Sequence, residues 1–127
     1  MYTPVGTLYI VKSAHMVTGT KGEAVALTYL QDLGYKLHDR NVRLGRDEID
    51  LVMFDPLDRV MVFVEVKTRL KTGISPSRNL TFKKKDKLRR SARKWVAHYD
   101  YDGGYRIDVV FVIGDQVIGY VKELAWH

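Results

Sequence analysis

Residues 48–68 read Glu-Ile-Asp-Leu-Val-Met-Phe-Asp-Pro-Leu-Asp-Arg-Val-Met-Val-Phe-Val-Glu-Val-Lys-Thr, and the fold follows from them. Glu48–Phe54 and Val60–Thr68 are runs of β-branched, aromatic and other apolar residues, the composition of strands. Asp55-Pro56-Leu57-Asp58 between them is a turn signal. The two runs are therefore expected to pair as a hairpin.

The second run is apolar until Glu65-Val66-Lys67. Side chains alternate across a strand, so Glu65 and Lys67 project from one face while Val62, Val64 and Val66 pack on the other. A loop of four residues, Pro56–Arg59, sets Asp50 directly opposite Glu65; a loop of Pro56-Leu57 alone sets it diagonal. Both registers keep Asp50, Glu65 and Lys67 on one face, and a slip of one residue would invert the burial pattern. Opposed Cβ atoms lie about 5 Å apart, close enough for two carboxylates to grip one hard cation. Two such carboxylates resist ionising together without a cation between them. Mg²⁺ or Mn²⁺ suits the pair, since these ions take few carboxylates, keep waters and coordinate phosphate. Asp50 and Glu65 are thus candidate metal ligands. Lys67 is a candidate to orient water or stabilise a charged phosphate, and a surface ion pair is the plain alternative.

Outward from the hairpin, Thr20-Lys-Gly-Glu23 has the pattern of a capping box. Leu27, Leu30 and Leu33 mark one face of a helix over residues 21–33, and Gly34 marks its stop. Tyr35–Arg43 reads as a first strand and Gly45 as a turn. Residues 70–80 read as a loop and 81–99 as a second helix. Its apolar stripe is Leu88, Ala92, Trp95 and Tyr99, and Lys83, Lys87, Arg90 and Lys94 lie well around the axis from it. After Gly103-Gly104, Tyr105–Ile113 and Gln116–Val121 form a last strand pair. The order α-β-β-β-α-β-β predicts an α/β domain over residues 20–127, a mixed β-sheet flanked by helices. Residues 1–19, without periodicity, form an N-terminal extension.

The 127 residues suit one domain, and 46% hydrophobic content supports a core. Absence of cysteine excludes disulfides and thiolate zinc sites. No apolar stretch is long enough to cross a bilayer and no signal segment is visible, so a cytoplasmic protein without a membrane partner is expected. The net charge of +6 is unevenly placed. Between Lys67 and Lys94, twelve Lys or Arg face one acid, Asp86; elsewhere nine bases face fourteen acids. Such a basic segment on an acidic body suits a polyanion. Arg69, Lys71, Lys83, Lys87, Arg90 and Lys94 are candidate phosphate contacts, independent of base sequence. The four histidines show no ligand spacing.

Asp50 with Glu65-Val-Lys67 resembles the Pro-Asp…(Asp/Glu)-x-Lys signature of restriction-endonuclease-like nucleases. More specifically, several motifs in order resemble the YraN family, also designated UPF0102. They are Gly22-Glu23, Asn41-x-Arg43, Glu48-Ile-Asp-Leu-Val52, Val62-Phe-Val-Glu-Val-Lys-Thr-Arg69, the basic helix with Trp95, and Arg106-Ile-Asp-Val-Val110. The resemblance spans roughly residues 20–122. It implies a restriction-endonuclease-like fold and a metal-dependent DNA endonuclease, with a more distant likeness to archaeal-type Holliday junction resolvases. It also implies that Glu23 reaches toward the metal site, although the capping role explains that residue almost as well. Members usually carry glycine where this chain has Asp47. That acid would supply a further metal ligand or oppose DNA.

The leading expectation is a phosphodiesterase acting on DNA, branched or otherwise structured DNA included. Cutting a symmetric junction would need a homodimer with two sites. A nucleic-acid-binding module without catalysis is the alternative, and a basic helix meeting an acidic protein is a third. Glu48 reads as a solvated acid and Asp108 as a structural residue whose partner is Arg106 or a residue of the basic helix.

Overall fold

The computed structural model describes residues 21–68 and 82–124. Helix α1 (Lys21–Asp32) is followed by β1 (Lys36–Leu44), β2 (Asp47–Asp55) and β3 (Val60–Lys67). Helix α2 (Phe82–His98), β4 (Tyr105–Ile113) and β5 (Gln116–Val121) complete the order. This is the expected α-β-β-β-α-β-β succession. The five strands form one open mixed sheet in chain order, antiparallel except for the parallel pair β3–β4. The expected extension at residues 1–19, the capping hydroxyl of Thr20 and the loop at 70–80 lie outside the described residues.

Each helix covers one sheet face, because the strands bury apolar side chains on both. Ala26, Leu27 and Leu30 of α1 pack with Leu51, Met53, Val62, Val64, Val110 and Val112. Ala92 and Trp95 of α2 pack with Val52, Met61, Phe63, Val109 and Phe111. The alternation therefore assigns Met61, Phe63, Glu65 and Lys67 to the α2 face of β3. Two expected core residues are exposed, and Leu88 is only partly buried. Leu33 is 50% exposed because α1 ends at Asp32 and the chain turns through Gly34 at φ 98°. Tyr99 is 51% exposed because α2 ends at His98, one residue short of it.

The hairpin register is the four-residue-loop alternative: Asp55 pairs with Val60 and Leu51 with Val64. Asp55 holds that loop shut. Its carboxylate accepts from the Leu57 and Asp58 amides (2.9 and 3.3 Å), and its carbonyl from the Arg59 amide (2.7 Å). Arg106 donates to the other Asp55 oxygen (2.9 Å) and to Asp108 (3.1 Å), while Tyr35 Oη meets its remaining nitrogen at 2.6 Å. Asp108 also accepts from Tyr120 Oη at 2.5 Å and from the Glu123 amide at 3.0 Å. Asp108 is thus the structural residue expected, fully buried and paired with Arg106.

Removing one partner of a buried ion pair leaves uncompensated charge and typically costs about 3–5 kcal/mol. Arg106→Leu strands both Asp55 and Asp108, so urea unfolding is expected to show a loss of that size. A loss under 1 kcal/mol would mean that the network adds little to stability.

Candidate active site

Extending the ladder one pair past Leu51–Val64 brings Asp50 opposite Glu65. The Val66 amide donates to Asp50 Oδ2 at 2.8 Å, so the carboxylate continues the pairing that the strand backbones leave off. The Asp50 and Glu65 carboxyl groups line the same cleft, near enough for each to act on the other's proton affinity. Burial, and then the neighbouring Asp50 charge, push Glu65 up to about 8. Burial likewise raises Asp50, with the Val66 amide opposing and Glu48 adding to the rise. Lys67 lies beside them with its pKa lowered by burial and by contact with Lys84. The three residues that the alternation joins on one face do share one cleft.

Arg43, Arg46, Lys84 and Lys87 also line this cleft, with Glu48 and Ser91. Of the expected phosphate contacts, Lys87 is there. Lys83 is exposed and does not line it. Arg69 and Lys71 lie outside the described residues. Lys84, Arg43 and Arg46 were not among the candidates, although Arg43 stands in the Asn41-x-Arg43 motif. Lys84 belongs to the same lysine run as Lys83 and Lys87, and only the rotation of α2 selects it.

Arg90 and Lys94 have another partner. Arg90 forms a two-pronged contact with Asp47 (3.0 Å at each oxygen) and Lys94 adds a third bond at 2.7 Å. Asp47 is 1% exposed and begins β2, pairing with Leu44 across a two-residue turn in which Gly45 has φ 64°. The clasp joins the β1–β2 turn to α2. Its charge is met by Arg90 and Lys94 of α2, and Asp47 does not line the cleft.

Glu23 approaches from the other helix. Gly22 sits against β3, where a Cβ would collide with Thr68 Cγ2, so α1 starts hard against the end of the strand bearing Glu65. Burial, then the Asp50 and Glu48 charges, raise Glu23 to about 7. With its amide nitrogen turned inward, Asn41 donates to Glu23 at 2.9 Å, and Arg40 lies 3.7 Å away. Asn41 has φ 53°, a left-handed conformation that asparagine tolerates better than most residues, and this lets consecutive residues of β1 both reach Glu23. Glu48 is half-buried on the cleft wall, 3.7 Å from Arg43, rather than free in solvent.

Among the described residues no group of three or more His, Asp or Glu side chains is arranged to hold a metal ion. The donor set on offer is two hard carboxylates facing each other across β2 and β3, both with raised proton affinity. That fits an ion such as Mg²⁺, which binds through one or two carboxylates and completes its shell with water and substrate oxygen. No described helix is long and apolar enough to cross a membrane.

The model of the uncharacterised protein family UPF0102 matches residues 22–112, the span that carries the whole cleft. A UPF0102 protein of Corynebacterium efficiens is 37% identical over 113 residues, covering 88% of this chain and 91% of its own. One from Cytophaga hutchinsonii is 33% identical, covering 87% and 97%. A third, from Mycobacterium tuberculosis, is 38% identical, covering 84% and 86%.

The Asp47 clasp predicts a pH signature. Hydrogen bonds from Arg90 and Lys94 hold this carboxyl well below its ordinary 3.8. A lowered folded-state pKa gives stability that is fully present above the unfolded value and lost as pH falls through the folded one. Asp47→Asn is expected to lower the Tm near neutral pH, with the parent and variant curves converging only below pH 3.8. A gap that persists undiminished to strongly acid pH would assign Asp47 a packing role instead.

Proposed function

This chain belongs to the UPF0102 family, and we propose that it is a divalent-metal-dependent endonuclease hydrolysing phosphodiester bonds in DNA. The observation that carries this reading is the facing of Asp50 and Glu65 across β2 and β3, with Lys67 beside them in a cleft of basic walls. Placing two half-buried acids face to face costs stability unless a cation offsets their repulsion. Structural ion pairs elsewhere in the chain, such as Arg106 with Asp55 and Asp108, meet their acids with guanidinium groups. Here acid faces acid.

Asp50 and Glu65 would hold Mg²⁺ or Mn²⁺. When bound, such an ion lowers the pKa of a coordinated water and offsets charge on the phosphate under attack. The chain's own groups supply the rest. The Val66 amide fixes Asp50, so its carboxylate is oriented before any ligand arrives. Lys67 places a positive charge on the same strand face, suited to orienting the attacking water or stabilising the phosphate. Burial, and then the neighbouring Lys84, lower its proton affinity below that of an ordinary lysine. Lys84, Lys87, Arg43 and Arg46 draw the DNA backbone into the cleft through phosphate contacts that read no base. Glu23 acts from α1 as a positioning residue, keeping Asn41 and the β1 backbone beside Asp50.

The test is cleavage of linear, single-stranded, flap and four-way DNA by purified protein with Mg²⁺ or Mn²⁺. The parent is expected to cut at least one of these and to stop when the metal is chelated. Asp50→Ala and Glu65→Ala are expected to fall to background. Lys67→Met, which removes one stabilising charge, is expected to lose roughly 10²–10³-fold in rate. Binding without cleavage by the parent would make the chain a nucleic-acid-binding module. Equal cleavage by parent and both alanine variants would trace the activity to a contaminant.

A further inference from the structure

Helix α2 is basic on both flanks, and only one flank meets the cleft. Lys87 lies on the cleft side. Arg89 and Arg93 line a separate groove with Tyr105 and Ile107 of β4 and with Lys122 just past β5. At 3.6 residues per turn, Lys87 and Arg89 point about 160° apart around the axis. The second groove is net positive. Arg89, Arg93 and Lys122 face Glu123 there, and the neighbouring Arg106 is neutralised internally by Asp55 and Asp108. Arg93 and Lys122 are exposed. Asp86, also exposed, is the lone acid of α2 and stands on its outer surface.

Resting on the nuclease reading above, we infer that α2 lies in the major groove of a B-form DNA duplex, with the cleaved strand in the cleft and the complementary strand's phosphates on Arg89, Arg93 and Lys122. The dimensions agree. An α-helix with its side chains is about 10–12 Å across, and the B-DNA major groove is about 12 Å wide. A helix with cations on both flanks meets both walls of that groove at once. The flank contacts are to phosphate, so they position the duplex without reading its sequence. A-form RNA has a deep, narrow major groove that does not admit a helix in this way, which commits the surface to DNA.

The measurement is fluorescence anisotropy without divalent metal, so that nothing is cut. The probes are a short labelled DNA duplex, one of its strands alone, and an RNA duplex of the same sequence. Arg93→Ala/Lys122→Ala removes two exposed cations from the second groove. Lys21→Ala/Lys36→Ala removes two exposed cations distant from it and controls for net charge. The groove variant is expected to weaken duplex binding roughly tenfold or more and to flatten the salt dependence of log Kd by about two, at roughly 0.9 per phosphate contact. Its affinity for the single strand is expected to stay within about twofold, and the parent is expected to prefer the DNA duplex to the RNA one.

Equal weakening on duplex and single strand, an equal effect in the control variant, or unchanged duplex binding would each overturn the inference. So would equal affinity of the parent for the RNA duplex. If the parent cuts DNA in a metal-dependent way while the groove variant binds duplex normally, this inference alone fails. If the parent shows no affinity for any DNA at low salt, the nuclease reading fails with it.

Discussion

The pairing of β2 with β3 is the constraint on which the rest depends, since a shift of a single residue would turn Asp50 into the α1 core and Leu51 out of it. What resists that shift is concentrated at Asp55. One of its oxygens closes the four-residue turn by accepting the Leu57 and Asp58 amides, and the other is bound by Arg106 of β4. The turn is thus anchored to a strand two places along the sheet from β2. Four pairs above Leu51–Val64 run without interruption to Asp55–Val60. The geometry of a loop at one end of the hairpin therefore sets which acids meet at the other.

The chain's inward-facing acids divide into two kinds by their partners. Asp47 and Asp55 accept from arginine or lysine side chains, and both have lowered pKa values despite their burial. Asp50, Glu65 and Glu23 lie near other carboxylates, and burial with that neighbouring charge raises all three, Glu23 even with Arg40 3.7 Å away. The first kind tie elements together: Asp47 binds the β1–β2 turn to α2, and Asp55 binds the hairpin turn to β4. The second kind store unfavourable charge at one place, the end of β3 against which Gly22 docks α1. That grouping of acid with acid is why the cluster stands apart as the candidate site.

Helix α2 performs three tasks with three sets of side chains. Ala92 and Trp95 bury against the sheet, with Trp95 edge-on to Phe63 at a centroid distance of 5.2 Å. Arg90 and Lys94 lock its rotation through Asp47. Lys84 and Lys87 are left over the cleft. The clasp matters to the cleft indirectly, since turning the helix would carry Lys87 away from Glu65. Asp47 is thus a tie between helix and sheet in this chain.

Much of this was legible from residue order, because strand alternation and helix period are local rules. The hairpin, the order of elements and the shared face of Asp50, Glu65 and Lys67 follow from period-2 spacing, which backbone geometry imposes whatever surrounds it. The ends of elements were less legible: Leu33 and Tyr99 fell one residue beyond their helices and lost their places in the core. Choosing among the many cations was beyond sequence, since Lys83, Lys84, Lys87, Arg90 and Lys94 are chemically alike and local in one helix. Which of them reaches the cleft, binds Asp47 or faces solvent depends on how α2 is rotated and seated on the sheet. That seating is decided by Ala92, Trp95 and the strands of the α2-side core, residues far apart along the chain, and so only the tertiary structure could decide it.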